Sequence, residues 1–112
     1  MGDRRMAEIR TADGSLYIYT HSAGYYLPGR AKEAIQWAKP RWNDHSYATR
    51  MIVDQLTKPG RDEQYGYGLM LAPNAEDEYN HDQPSVVIDL VAKELTISNS
   101  YKTVRHTFAD LH

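Results

Sequence analysis

Side chains alternate in character from Met6 to Thr11 and again from Leu16 to His21, and these stretches flank Ala12-Asp13-Gly14-Ser15. A period of two marks a half-buried strand and Asp-Gly is a strong turn signal, so the first element is predicted to be a β-hairpin. With Asp13 and Gly14 as its loop, Thr11 is expected opposite Leu16, Ile9 opposite Ile18 and Ala7 opposite Thr20. One face is then aliphatic. The other carries Met6, Glu8 and Arg10 with Tyr17, Tyr19 and His21.

The period changes after His21. Ser22 to Gly29 reads as a loop, with Gly24 available for a positive φ and Pro28 suited to a first helical turn. Leu27, Ala31, Ala34, Ile35 and Ala38 recur at helical spacing, and Pro40 should end that helix at about Lys39. Asp44 is placed as the N-cap of a second helix running to about Thr57, with Ala48, Met51, Ile52 and Leu56 as its apolar stripe. Tyr47, Arg50 and Asp54 then share the neighbouring polar edge.

Alternation returns from Tyr65 to Ala72, with Gly66 and Gly68 opposite Tyr65, Tyr67, Leu69 and Leu71. Pro73 to Pro84, rich in Glu and Asp, reads as a solvated loop. Ser85 to Leu90 is apolar enough for a central strand, and Leu95 to Ser98 should return beside it through Ala92-Lys93. The tail from Tyr101 to His112 fits a short helix on Val104, Phe108 and Leu111, or a strand on Val104, His106 and Phe108. The order predicts an α+β fold: an N-terminal β-hairpin, two helices, then about three strands, with both helices on one face of a mainly antiparallel sheet. Residues 1–112 are expected to form a single domain.

Composition narrows what such a domain does. Across 112 residues, 41% are hydrophobic and 25% charged, values of an ordinary folding chain. The net charge of −2 lacks the basic footprint of a duplex nucleic-acid binder. There is no cysteine, so thiolate zinc sites and disulfides are excluded. No apolar run spans a bilayer, and a cytoplasmic protein without membrane attachment is expected. Nine tyrosines and two tryptophans stand against one phenylalanine. Rings with a polar handle do best where one end is wet, which points to a binding surface.

The densest combination of rings and guanidinium groups is Arg41-Trp42-Asn43-Asp44-His45-Ser46-Tyr47-Ala48-Thr49-Arg50, at the start of the second helix. Arg pairs with phosphate through a planar fork, helix N-terminal N–H groups receive anions, and rings stack on bases. Arg41 and Arg50 are therefore candidates for phosphate, Trp42, Tyr47 and Tyr26 for stacking or capping, and His21 for a polar anchor. The structural alternative has Trp42 plugging the core, Asp44 acting only as a cap and Arg50 pairing with Asp54. His21, at a strand end, is also the best candidate for proton transfer should the protein be an enzyme. The remaining histidines are scattered and the acidic run lacks calcium-loop spacing, so neither a metal nor a cofactor is expected.

Tyr17-x-Tyr19-x-His21-x-x-Gly24, Arg41-Trp42-x-Asp44-x-x-Tyr47-x-x-Arg50, Gly66-x-Gly68 and Val86-Val87-Ile88-Asp89 together resemble a family of short proteins encoded by bacteriophages and prophages. The similarity spans about residues 5 to 98. Ser22 stands where such proteins often carry Trp, with Tyr25 or Tyr26 as a replacement ring. The resemblance implies an anti-defence setting, in which small phage proteins sequester nucleotide signals of the host. The expectation is a non-catalytic nucleotide-binding protein, acting as a homo-oligomer whose Tyr17/Tyr19 face joins two copies. A metal-independent phosphodiesterase using His21 is the enzymatic alternative, and docking of the tyrosine face on a host protein is the third.

Overall fold

The computed structural model describes residues 5–20, 26–60, 62, 66–71, 85–98 and 101–111. His21, the Ser22–Tyr25 stretch, Tyr65 and the acidic segment 76–82 lie outside the described residues.

The first hairpin joins β1 (Arg5–Thr11) to β2 (Gly14–Thr20). Its register corrects the expectation by two residues: Thr11 pairs with Gly14, Ile9 with Leu16, Ala7 with Ile18 and Arg5 with Thr20. Ala12 and Asp13 form the tip, and Gly14 supplies the positive φ of 131° that returns the chain. The Thr11 hydroxyl locks this tighter turn, donating to the Gly14 carbonyl at 2.8 Å and accepting the Asp13 N–H at 3.1 Å. A shift of two preserves side-chain faces, so the aliphatic side still lies beneath the helices.

Helix α1 spans Leu27–Trp37, with Pro28 in its first turn, and α2 spans His45–Thr57. A 3-10 turn at Lys39–Arg41 links them: Ala38, at φ −86° and ψ 4°, leaves the α-helical backbone, and Pro40 has no N–H with which to continue α1. Leu27, Ala31, Ala34, Ile35 and Ala38 are buried, as are Ala48, Ile52 and Leu56. The small side chains of α1 let it lie close above the sheet.

Four further strands follow among the described residues, one more than expected: β3 (Tyr67–Met70), β4 (Val86–Asp89), β5 (Glu94–Ser98) and β6 (Thr103–Thr107). The tail combines both readings, a strand followed by a 3-10 turn at Phe108–Asp110. The sheet has the order β3-β2-β1-β4-β5-β6, with β1 and β4 parallel and every other pairing antiparallel. Lys93 closes the β4–β5 turn at a φ of 57°, after the Asp89 carboxylate has accepted the N–H groups of Val91 and Ala92 at 2.9 Å each. Such an Asx arrangement supplies the turn without glycine.

The core lies between helices and sheet: Ala7, Ile9 and Ile18 from the hairpin, Val86, Ile88 and Leu95 from the later strands, and Phe108 beneath the helix pair. On the other sheet face, Glu8 is only 7% exposed. It accepts from Arg10 Nε at 3.2 Å and from Ser15 Oγ at 2.6 Å, and Arg10 reaches Asp89 at 3.5 Å. The Glu8 hydrogen bond and charge raise the Arg10 pKa further above its ordinary value, so the guanidinium is permanently charged. No helix among the described residues is long and apolar enough to cross a membrane.

Candidate functional site

The segment from Lys39 to Arg50 passes from the 3-10 turn into α2, and this change of direction sends neighbouring side chains opposite ways. Trp42 turns inward. Its indole Nε1–H donates to the Ile35 carbonyl at 2.8 Å, and its ring meets Phe108 at a centroid distance of 5.0 Å and a tilt of 53°. A half-buried ring held on both edges belongs to the core boundary, the structural role weighed for it above.

Arg41 turns outward. Its guanidinium lies 5.0 Å from the centroid of the exposed Tyr47 ring. Cation–π contact at this distance holds the planar fork in place while its donors remain available. Arg50 follows Tyr47 by three residues on α2, hence on the same side of the helix. It is bound to Asp54 at 2.6 Å, in a pair exposed on both sides.

Asp44 occupies the N-cap position with extended backbone (φ −113°, ψ 90°), but its carboxylate caps no backbone N–H. It accepts instead from Ser46 Oγ at 3.3 Å. The first N–H groups of α2 are thus not covered by the residue placed to cover them.

Tyr26 stands at the other end of α1, preceding its first residue and separated from Arg41 by the helix, about 16 Å of rise. It does not join Arg41 and Tyr47. Tyr17 and Tyr19 lie on the sheet face opposite Ile18, with the sheet itself between them and the helices. Among the described residues, the candidates named for a ligand thus come together only as Arg41, Tyr47 and Arg50, on one exposed ridge.

Beside this ridge is a contact that the sequence did not disclose. His45 Nδ1 accepts the Ala12 N–H at 3.2 Å, tying the hairpin tip to the start of α2 across 33 residues. Because Nδ1 is the acceptor, the neutral ring carries its proton on Nε2. A shallow groove of about 380 Å³ opens there, lined in part by Thr11, Asp13, Ser15, His45, Ser46 and Thr49. Most of its hydroxyls are engaged within the fold: Thr49 donates to the His45 carbonyl at 2.6 Å, and Ser15 to Glu8. Nothing in the local pattern of either segment signals a pairing so distant in sequence. Among the described residues, no three His, Asp or Glu side chains gather as a metal site would require.

Comparison with protein-family models, with curated proteins and with solved structures returned no match to this chain.

Proposed function

We propose that the chain is a non-catalytic binding protein for a small phosphorylated, base-containing ligand, received on the ridge of Arg41, Tyr47 and Arg50. The observation that carries this reading is the Arg41 guanidinium resting on the Tyr47 ring with both side chains exposed. The ring pre-orients the guanidinium for a bidentate phosphate contact, so little side-chain freedom is lost on binding. Arg50 adds a second cation when a phosphate competes for it with Asp54. The uncapped N–H groups of α2 lie on the same end of the helix and favour an anion.

The phage setting implied by the resemblance makes the ligand a nucleotide immune signal, a cyclic nucleotide or ADP-ribose derivative, and the action its sequestration in the host cytoplasm. Incubation of the protein with a cyclic dinucleotide and with ADP-ribose, followed by heat denaturation, tests this. Depletion of free ligand, its intact recovery on heating and a loss of at least tenfold in affinity for Arg41→Ala are expected. Failure to deplete either probe at any ratio, or an affinity indifferent to Arg41→Ala, overturns the proposal. Turnover beyond stoichiometry replaces it with the phosphodiesterase.

A further inference from the structure

Helix α1 carries a second stripe, distinct from its buried one. Tyr26, Arg30, Glu33 and Trp37 are spaced by four, three and four residues, which at 100° per residue gathers them into a sector of roughly 60°. That sector lies about a third of a turn from the Leu27, Ala31, Ala34 and Ile35 stripe that faces the core. The spacing is that of a coiled-coil seam.

Trp37 is 59% exposed and Tyr26 61%, although large rings are costly to leave in water. Arg30 is half-buried, and its Nε, shielded from solvent, meets no hydrogen-bond acceptor among the described residues. Arg30 and Glu33 sit one helical turn apart, yet among the described residues neither is in an ion pair. Trp, Tyr and Arg are the residues that dominate interface energetics when they are covered.

The order of these residues says what covers them. When two copies of α1 pack antiparallel about a twofold axis passing between positions 31 and 32, residue i meets residue 63 − i of the other copy. Arg30 then faces the other copy's Glu33, and Tyr26 the other copy's Trp37. Each contact occurs twice, as an isologous interface demands. The stripe is also neutral in sum, which fits a copy of itself and not a polyanion or an anionic membrane.

We infer that this α1 stripe is the interface of a twofold homodimer. It is a different surface from the Tyr17/Tyr19 sheet face, and it is independent of the ligand ridge on α2. One helix from each subunit makes a small interface, so dimerisation depends on concentration in the range of roughly 10 μM to 1 mM.

Sedimentation equilibrium across that range tests the assignment, with far-UV circular dichroism to establish that each variant is folded. The wild-type chain is expected to dimerise. Arg30→Glu and Glu33→Arg, each placing like charges opposite one another twice, should weaken self-association at least tenfold. Mixed in equal amounts, these two variants should form a heterodimer, because every Glu of one then meets an Arg of the other. Trp37→Ala should weaken the wild-type dimer to a similar degree. A wild-type chain that stays monomeric throughout overturns the inference. So does a dimer that both charge variants leave intact, or a mixture that fails to restore association.

Discussion

Replacing Trp42 by Phe separates a core role from a ligand role, and the geometry sets the size of the effect. The substitution keeps a ring against Phe108, so most of an aromatic contact worth about 0.5–1.5 kcal/mol survives. It removes the Nε1–H bond to the Ile35 carbonyl, typically about 1 kcal/mol. That carbonyl also accepts the Ala38 N–H at 3.2 Å and is not stranded, which places the loss at or below the typical value. In this half-buried site the smaller ring buries roughly 20 Å² less, a further loss of about 0.5 kcal/mol at 25 cal/mol per Å². Together Trp42→Phe should cost about 1–1.5 kcal/mol, and Trp42→Ala about 3 kcal/mol since the site is only half-buried. Urea unfolding followed by circular dichroism measures the first directly, and the melting temperature should fall by roughly 5–10 °C. Ligand affinity at the Arg41 ridge should stay at its wild-type value. A Trp42→Phe protein as stable as the wild type, with weakened ligand binding, refutes the placement of this ring.

Two smaller perturbations probe the hairpin. Gly14→Ala meets no neighbouring atom but must hold a φ of 131°, so its cost of about 1–3 kcal/mol, read by chemical denaturation, is purely conformational; a neutral result means the turn has shifted to the looser register. Glu8→Gln keeps the shape and removes the charge that holds Arg10; because Arg10 is half exposed, the expected loss is about 1 kcal/mol, and an unchanged unfolding midpoint in low salt shows the pair to be idle.

Elements were legible in this sequence where one local signal sufficed. Helix α2 runs from His45 to Thr57, as its own apolar stripe predicts, with Asp44 at the N-cap position although its carboxylate makes no capping bond. The hairpin was legible in its faces and not in its register, since alternation fixes which side a residue takes while the Thr11 hydroxyl chooses where the turn closes. The tail divided between strand and 3-10 turn because β6 needs β5 as a partner, a condition no window of a dozen residues contains. The tie between Ala12 and His45 was hidden for the same reason.

The candidate site shows a subtler limit. Arg41, Trp42 and Tyr47 share one segment, and composition gives all three the same claim on a ligand. The 3-10 turn before α2 separates them, sending Trp42 against Phe108 and leaving Arg41 with Tyr47 outside. Trp37 is the converse case. By its spacing along α1 it is one more residue off the apolar stripe, and only its exposure, on the same helix side as Arg30, gives it meaning. A surplus of polar rings thus identifies a chain that presents aromatic surface. Which ring is presented, and to what, depends on the angle at which each leaves the backbone and on whether its neighbours satisfy it. By that measure the exposed Trp37 and the half-buried Arg30, whose Nε meets no acceptor among the described residues, bear on the proposed self-association as directly as Arg41 and Tyr47 bear on the proposed ligand ridge.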